Sequence, residues 1–372
     1  MIIGVLQEPS FETRVSLLPE AVAALTKKGI AVLIETGAGL KASASDEDYE
    51  KAGAQIKSGQ EIANGADILL SINPPAIPVP KQKIIIGIYQ PLFNFQEMAV
   101  WATSDLTVFS LDMLPRTTRA QSMDVLSSQA NIAGYKAVLL AANIFPKYFP
   151  MFMTAAGSIP PAKVLILGAG VAGLQAIATA RRLGAVVEVF DTRPAVKEEV
   201  MSLGAKFIEV EGAADASKAG GYAVEQSTAF LQKQKQKIAD SIAKADIVIT
   251  TAQIPGKAAP VLVTTGMIEA MKKGSVIIDL AAATGGNTEL SKNNQTVIHA
   301  GVSIIGNSTL AASMPSDASK LYGKNVLNFL QLIMIIDKEG KLNLNWDDDL
   351  VKGSCITHGG NVVNERVKAL LM

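Results

Sequence analysis

The chain has 372 residues, in which 34 Lys and Arg balance 34 Asp and Glu. This length exceeds one ordinary hydrophobic core and predicts two domains. The balanced charge, without blocks of like sign, argues against nucleic acid as a partner. The single cysteine, Cys355, excludes an internal disulfide and a multi-thiolate metal site, which fits a cytoplasmic protein, and no metal site is predicted.

The sequence contains no candidate for a membrane span. The first residues, MIIGVLQEPS, lack the basic start and apolar middle of a secretory signal, so residues 2–6 are predicted as a buried strand. The most apolar stretches, 137–145 and 329–336, are far shorter than the ~20 residues that a spanning helix needs. We therefore expect no direct contact of this chain with the bilayer core.

Short apolar runs alternate with longer amphipathic runs, which is typical of parallel strands joined by crossover helices. A helix is predicted for residues 18–28, with Gly29 as its stop. The strands predicted for the first half of the chain are residues 2–6, 31–35, 68–71, 84–88 and 106–110.

A long helix over residues 121–143 and a stretch with four prolines over 145–161 predict a domain boundary. A helix at 317–336 is expected to return the chain to the first domain. The strands predicted for the second series are residues 164–167, 186–190, 206–208, 247–250 and 276–279, with a final pair near Val297 and Ile304.

These patterns predict an α/β protein with two Rossmann-like, doubly wound parallel-sheet domains joined by long helices. The first domain is expected to be discontinuous, comprising residues 1–134 and 318–372. The second, residues 135–317, is the predicted nucleotide-binding domain. Residues 211–228 are small and polar except for Tyr222, and we expect a mobile loop there, although an ordinary surface linker has the same composition.

The strongest motif is VLILGAGVAGLQAIATARRLGA, an apolar strand followed by glycines in GxGxxG spacing and a helix. Gly168 permits a tight turn, Gly170 lets a pyrophosphate approach the backbone, and Gly173 allows the helix to pack closely on the strand. The start of the helix offers free N–H groups and partial positive charge to phosphates. The motif therefore predicts a dinucleotide site.

A second strand, VVEVF, ends in Asp191, 18 residues beyond Gly173. A carboxylate there can accept hydrogen bonds from the adenosine ribose and would repel a 2′-phosphate, which favours NAD(H) over NADP(H). Arg193 weakens this inference, because a guanidinium can bind the extra phosphate. Two later strand ends, at residues 250–253 and at Asp279 and Leu280, are predicted to meet the same ligand.

With these motifs, the chain resembles the NAD(H)-binding domain I, or alpha-1, subunits of bacterial proton-translocating NAD(P) transhydrogenases, which are relatives of alanine dehydrogenase. The resemblance extends over essentially all 372 residues. Its most specific segments are MLPRTTRAQSMDVLSSQANIAGY, MTAAGSIPPAKVLILGAGVAGLQAIATARRLGA, TTAQIPGKAAPVL and GSVIIDLAAATGGN.

The resemblance implies functional residues that the motifs alone do not identify. At the nicotinamide end it implies contacts from Arg116, Arg119, Gln121, Asp124 and Ser127, with Gln121 beside the reacting rings. By themselves, the residues PRTTRAQSMD indicate only a polar helix start with surface ion pairs. The resemblance implies further cofactor contacts at Val171, Asp191, Thr192, Arg193, Gly221, Gln234 and Gln253, and a mobile-loop tyrosine at Tyr222.

The resemblance also implies an activity and an assembly. NADH bound to this chain would transfer hydride to NADP+ on an NADP(H)-binding beta subunit, and a membrane-spanning alpha-2 subunit would couple the reaction to proton translocation. The chain would form a homodimer. It would lie peripherally on the cytoplasmic face of the bacterial inner membrane.

Transhydrogenation is favoured over substrate dehydrogenation because it needs no positioned acid or base. The only histidines, His299 and His358, lie outside the cofactor motifs. Alanine dehydrogenases carry a substrate Lys, His and Asp, and their apparent counterparts here are Ser71, Gln90 and Ala283. Two alternatives remain open, an amino-acid dehydrogenase of the alanine type and a non-catalytic NAD(H)-sensing subunit.

Overall fold

The computed structural model describes residues 1–210, 228–334 and 344–372. These residues divide into two compact units, of which unit 1 is Met1–Gln129 with Ala312–Met372 and unit 2 is Ala130–Ala311. Unit 1 is therefore discontinuous. Both divisions fall a few residues before the predicted boundaries at 134 and 317.

Strands occupy both units of the described chain. In chain order they are β1 (Ile2–Val5), β2 (Ala31–Glu35), β3 (Gln55–Lys57), β4 (Ile68–Leu70), β5 (Ile84–Gly87), β6 (Thr107–Ser110), β7 (Phe152–Thr154), β8 (Gly157–Ile159), β9 (Lys163–Leu167), β10 (Val186–Phe190), β11 (Lys206–Phe207), β12 (Ile247–Thr250), β13 (Val276–Asp279), β14 (Thr296–His299), β15 (Val302–Ile305), β16 (Cys355–His358) and β17 (Asn361–Val362).

Helices connect most of these strands. They are α1 (Pro19–Thr26), α2 (Asp46–Lys51), α3 (Gly59–Gly65), α4 (Phe95–Thr103), α5 (Val125–Ile144), α6 (Val171–Arg182), α7 (Lys197–Ser202), α8 (Thr228–Ile242), α9 (Thr265–Glu269), α10 (Pro315–Ile333), α11 (Asp349–Ser354) and α12 (Glu365–Leu371). Within the described ranges, no helix is both long enough and apolar enough to cross a bilayer.

The unit 1 sheet has the strand order β17-β16-β6-β5-β4-β1-β2-β3. Strands β1 to β6 pair in parallel, whereas β16 pairs antiparallel with both β6 and β17. Alternate residues of its strands face opposite sides, so Ile68 and Leu70 join one core and Leu69 the other. The first of these cores also contains Tyr322 and Phe329 of α10.

The unit 2 sheet has the order β11-β10-β9-β12-β13-β15-β14, parallel except for the edge strand β14. In each sheet, the parallel strands follow the 3-2-1-4-5-6 order of a Rossmann fold, and the strand order reverses beside the first strand. The prediction of two Rossmann-like α/β domains is confirmed. The antiparallel edge strands are an addition to it.

The strands that sequence patterning missed are short and lie at edges. β3 has the polar sequence QIK, and β16 and β17 contain four and two residues. The proline-containing stretch predicted as irregular includes the antiparallel hairpin β7-β8, which pairs with no other described strand. Runs this short carry too little periodicity to separate a strand from a loop.

Helix α5 begins four residues after its predicted start. Residues Thr118–Met123 form a 3₁₀ helix instead, and Asp124 follows it. The Asp124 carboxylate accepts hydrogen bonds from the backbone N–H and the hydroxyl of Ser127, at 2.9 and 2.6 Å. This interaction caps the first turn of α5, because an aspartate preceding a helix satisfies N–H groups that lack partners within it.

The C-terminal half of α5 approaches α6 closely within unit 2. A methyl group at Gly134 would overlap the backbone carbonyl of Ala172. We expect Gly134→Ala to lower the free energy of unfolding by about 1–3 kcal/mol, the cost of overpacking against a backbone that cannot yield.

Gly266→Ala in α9 is the matched control, because nothing lies within 4 Å of the added methyl group. It should leave stability unchanged or slightly increased, since alanine favours helices over glycine. Denaturant titration of both variants measures the difference, and equal stabilities would refute the close approach of α5 to α6.

Candidate functional site

The carboxyl ends of four parallel strands meet at one edge of the unit 2 sheet. Leu167 of β9 is in register with both Phe190 of β10 and Thr250 of β12, and Thr250 is in register with Asp279 of β13. The residues that follow these strands are therefore neighbours. Ligands of open α/β sheets bind at such an edge, where the strand order reverses, which here lies between β9 and β12.

The GxGxxG turn occupies this reversal point. Gly168 has φ +107°, and a methyl group there would overlap the Thr251 hydroxyl. A methyl group at Gly173 would overlap the Gly168 carbonyl oxygen, whereas one at Gly170 would meet no atom within 4 Å. Gly168 and Gly173 thus serve the turn itself, and Gly170 borders open space.

Helix α6 starts directly after this turn. Gly170 precedes its first residue and provides no side-chain cap, and Val171 at the start is 39% exposed. Arg181 and Arg182 occupy the last turn, opposite to the end that attracts anions. An uncapped helix start beside open space is suited to a phosphate group.

Asp191 and Arg193 form a bidentate ion pair just beyond β10. The Arg193 Nε lies 2.9 Å from Asp191 Oδ1, and its Nη2 lies 2.7 Å from Oδ2. The carboxylate also accepts the backbone N–H of Ala169 in the glycine turn, at 2.7 Å, and that of Arg193, at 2.8 Å. The bonds and charge of Asp191 raise the Arg193 pKa above its ordinary value, despite partial burial.

A small cavity of about 100 Å³ adjoins Asp191. Aromatic and aliphatic groups dominate its walls, and Lys197 and Glu209 at its rim form an ion pair with 2.5 Å between Nζ and Oε1. Sequence reasoning did not identify it, because its walls come from three separate segments. The lining residues are Phe190, Asp191, Thr192, Pro194, Lys197, Phe207, Glu209 and Val210.

The loops after β12 and β13 are tied together by one amide. The Asn287 side chain accepts the N–H of Ala252 at 3.0 Å and donates to the carbonyls of Ala252 and Pro260, both at 2.8 Å. Next to it, Gln253 donates to the Leu280 carbonyl at 3.1 Å. The predicted residues Gln253 and Leu280 therefore lie together, and Asn287 is a positioning residue that sequence reasoning missed.

Asp279 has a structural role at the end of β13. Its buried carboxylate accepts the N–H groups of Ala281, Asn287 and Thr288, at 3.0, 2.7 and 3.2 Å, and the hydroxyl of Ser291. A carboxylate with these donors needs no further partner. The Gly285-Gly286-Asn287 sequence after the strand was the available signal for this organised turn.

The other predicted cofactor residues of unit 2 differ in setting. Thr192 is half-buried, and Gln234 is only 6% exposed, on α8. Among the described residues, the Gln234 amide oxygen has no hydrogen-bond partner. Gly221 and Tyr222 lie outside the described residues, as does most of the predicted 211–228 loop.

The predicted nicotinamide-end residues form a continuous segment of unit 1. Arg116 and Gln121 are exposed, whereas Ala120 and Met123 are buried in the unit 1 core. The Ser122 carbonyl accepts the side-chain amides of Asn325 and Asn328 on α10, at 2.8 and 2.9 Å. The segment thus presents Gln121 to solvent on a backbone that is held from below.

Arg119 differs from these residues in having protein carboxylates as partners. Its guanidinium lies 2.7 and 2.8 Å from the two oxygens of Asp348, and it also contacts Asp349. The bonds to Asp348 raise the pKa of Arg119 and lower that of Asp348. Asp348 also caps α11 by accepting the N–H groups of Leu350 and Val351.

The unit 1 sheet has its own reversal point, between β1 and β4, and buried charges occupy it. The Glu8 carboxylate accepts the N–H groups of Ile72 and Asn73, at 2.5 and 3.0 Å, and the Asn73 amide at 3.0 Å. Burial raises the Glu8 pKa to about 7 despite these donors. The Glu12 carboxylate beside it pairs with Arg14, with the closest atoms at 2.7 Å.

The residues compared with an alanine dehydrogenase substrate site supply no acid or base. The Ser71 hydroxyl is buried 3.1 Å from the Tyr89 hydroxyl, while Gln90 and Ala283 are exposed. The two histidines are engaged elsewhere, His299 with Glu269 and His358 with Thr107. Over the described ranges of the chain, no three His, Cys, Asp or Glu residues gather as metal ligands.

Comparison with known proteins identifies the family. The model of the alanine dehydrogenase/PNT N-terminal domain matches residues 4–133, and that of the C-terminal domain matches residues 137–365. The chain belongs to the alanine dehydrogenase/PNT family. This confirms the resemblance described from the sequence.

Two members of the alanine dehydrogenase/PNT family are similar over their whole length. The first of the separately encoded pieces of NAD(P) transhydrogenase subunit alpha from Rickettsia prowazekii is 45% identical, with 98% of this chain and 96% of the relative covered. The solved structure of transhydrogenase from Sinorhizobium meliloti is 44% identical with a TM-score of 0.88, covering 98% of this chain and all of that one. Alanine dehydrogenase of Staphylococcus epidermidis is 29% identical, covering 90% and 87%.

The buried Glu8 carboxyl generates a prediction about stability and pH. Its pKa is about 7 in the folded chain and 4.5 ordinarily, so the folded state holds a proton that the unfolded state has lost between these values. The stabilisation is complete below pH 4.5 and is lost as pH rises through 7. Between pH 5 and 8, the wild type should lose about 2 kcal/mol more unfolding free energy than Glu8→Gln.

Urea titrations at several pH values measure this difference. Glu50→Gln, at an exposed position, is the control and should follow the wild-type pH dependence. Parallel curves for the wild type and Glu8→Gln would show that Glu8 does not titrate in this window.

Proposed function

We propose that this chain is the NAD(H)-binding subunit of a proton-translocating NAD(P) transhydrogenase. It would transfer hydride between NAD(H) bound here and NADP(H) on a partner subunit. The observation that carries the proposal is the Gly168 turn at the reversal point of the unit 2 sheet, with the start of α6 on one side and Asp191 on the other.

The residues present fit a dinucleotide. The space beside Gly170 and the uncapped start of α6 would receive the pyrophosphate, and Val171 borders the same place. The cavity lined by Phe190 and Phe207 would receive an adenine ring, with Thr192 on its wall. Gln253 and Leu280, at the ends of β12 and β13, would lie farther along the ligand, and the proposed contacts also include Gly221, Tyr222 and Gln234.

Asp191 would bind the ribose by exchanging partners. A carboxylate has about four acceptor positions, and two backbone N–H groups and two guanidinium N–H groups already occupy them. Two ribose hydroxyls can replace the two guanidinium bonds without disturbing the glycine turn. Ribose binding therefore requires the Arg193 side chain to move.

This exchange predicts the nucleotide preference of the site. In Asp191→Asn the amide loses the charge that attracts the ribose hydroxyls, and Arg193 loses its carboxylate partner. We expect NADH to bind about tenfold more weakly, since hydrogen bonds to charged groups contribute about 1.5–3 kcal/mol. The affinity for NADPH should fall less or should rise, as repulsion of its 2′-phosphate is relieved.

Equilibrium fluorescence titration with NADH and NADPH measures both constants. Asp246→Asn is a matched control, because Asp246 also accepts a backbone N–H and pairs with a cation, Lys272, at the opposite strand ends. It should leave both affinities unchanged. Equal weakening of the two nucleotides by Asp191→Asn would refute a ribose contact.

The hydride chemistry is supplied by the nicotinamide ring when the nucleotide is bound. The contribution of the chain would be orientation and exclusion of water, and the proposed residues for this are Arg116, Arg119, Gln121, Asp124 and Ser127. Asp124 and Ser127 already hold each other at the start of α5. This leaves the exposed Arg116 and Gln121 as the side chains best placed to contact a ligand.

Residue chemistry favours transhydrogenation over oxidation of an amino acid. Reductive amination needs a group that binds the substrate and moves a proton. Ser71, Gln90 and Ala283 offer a hydroxyl, an amide and a methyl group, and Ser71 is buried. Transfer between two nicotinamide rings needs no such group, which is why the residues at these three positions support the proposal.

The proposed assembly has further subunits. An NADP(H)-binding beta subunit and a membrane-spanning alpha-2 subunit would complete it, with this chain peripheral on the cytoplasmic face of the inner membrane. A homodimer is supported by apolar side chains that are 38–74% exposed on and beside the β7-β8 hairpin. These are Tyr148, Met151, Phe152, Met153 and Ile159.

The decisive test is hydride transfer from NADH to an NADP+ analogue after mixing this chain with an NADP(H)-binding transhydrogenase subunit. We expect transfer by the wild type. The shorter side chain of Gln121→Asn should lower the rate at least tenfold with unchanged NADH affinity, because a loss confined to the transition state leaves ground-state binding intact. Gln60→Asn on α3 is the exposed control.

The outcomes separate the candidate functions. NADH-dependent amination of a 2-oxo acid by the chain alone would favour an alanine dehydrogenase. Tight NADH binding without transfer in the presence of the partner would favour a sensor. Either result would overturn the proposed function.

A further inference from the structure

The segment that carries Gln121 is attached to unit 1 at two places, one on each side of that residue. After it, the Ser122 carbonyl accepts the amides of Asn325 and Asn328 on α10. Before it, Arg119 binds Asp348 and Asp349 at the start of α11. Gln121 itself is exposed between the two attachments.

The attachment to α11 includes more than an ion pair. A methyl group at Gly353 of α11 would overlap the ring of Pro115, so helix and segment are in close contact four residues before Arg119. Leu350 and Val351 of α11 are fully buried in the unit 1 core. The carboxylates that hold Arg119 are therefore fixed to a rigid base.

An exposed ion pair ordinarily contributes little to stability. This one differs because the guanidinium binds both oxygens of Asp348 and a second carboxylate, and paired geometry of this kind fixes orientation. Asp348 is in turn immobilised by capping α11, with its Oδ1 2.8 Å from the Leu350 nitrogen. The result is a defined position for the backbone of residues 118–123.

We infer that Arg119 is a positioning residue for Gln121, acting through Asp348 and Asp349, and does not bind the nucleotide itself. This inference rests on the proposed function for its catalytic meaning. It changes the role that the family resemblance implies for Arg119 and adds two carboxylates, from a distant stretch of the chain, to the functional segment.

Four variants test the inference. Arg119→Met removes the guanidinium but keeps an apolar stem, and Arg119→Lys keeps the charge. Asp348→Asn removes the carboxylate charge while retaining an equally good helix cap. Glu47→Gln is the control, because its exposed pair with Lys51 on α2 lies within the same unit.

The first measurement is amide hydrogen exchange of residues 118–123, which needs neither nucleotide nor partner. We expect Arg119→Met and Asp348→Asn to accelerate exchange about fivefold, a size typical of a well-oriented surface pair. The double variant should be no faster than either single variant, because both remove one interaction. Arg119→Lys should lie in between, and Glu47→Gln should match the wild type.

The second measurement is hydride transfer with the partner, alongside NADH affinity and the thermal midpoint. The two disruptive variants should transfer hydride at least threefold more slowly, with NADH affinity and thermal midpoint unchanged, and Arg119→Lys should recover some of the rate. A merely structural role would shift the midpoint instead of the rate.

Three results would overturn the inference. One is NADH binding weakened by Arg119→Met but not by Asp348→Asn, which would make Arg119 a nucleotide ligand. Another is unchanged exchange in both variants, and a third is additive effects in the double variant. A wild-type chain without transfer would refute the proposed function instead, and the exchange comparison would still decide whether the attachment exists.

Discussion

The in-register alignment of β9, β10, β12 and β13 is the constraint on which the candidate nucleotide site depends. It brings the Gly168 turn, Asp191, Thr251 and the loop after Asp279 to one sheet edge. Contacts across that edge then fix local geometry. The Thr251 hydroxyl donates to the Gly168 carbonyl at 3.0 Å, and Asp191 accepts the N–H of Ala169 at 2.7 Å. A shift of any strand by one residue would reverse its side-chain faces and separate these groups.

Charge at this edge is balanced locally. Arg193 pairs with Asp191 and Lys197 pairs with Glu209, so both of these cations near the cavity have carboxylate partners. Local neutrality gives little attraction for an additional phosphate, whereas the helix start at Gly170 remains available to a pyrophosphate. The proposed preference for NAD(H) therefore depends on a pair of residues more than on Asp191 by itself.

Unit 1 uses the same strand progression for a different purpose. Its reversal point is filled by Glu8, Glu12, Arg14 and Asn73, whose polar groups bind one another. Its functional interest lies in a segment after β6, held by α10 and α11. The same architecture thus presents backbone and open space in one unit and an exposed side chain in the other, which illustrates that a fold alone does not specify function.

The sequence by itself determined the fold class, the discontinuous first unit and the glycine turn with Asp191, because strand burial, helix periodicity and GxGxxG spacing are properties of local sequence. Only the tertiary structure brought Arg119 to Asp348, 229 residues away, and Asn287 to Ala252, 35 residues away. It also paired all four acceptor positions of Asp191 and assembled the cavity beside it. Such contacts depend on strand order and packing between distant segments, which periodicity and local motifs do not encode.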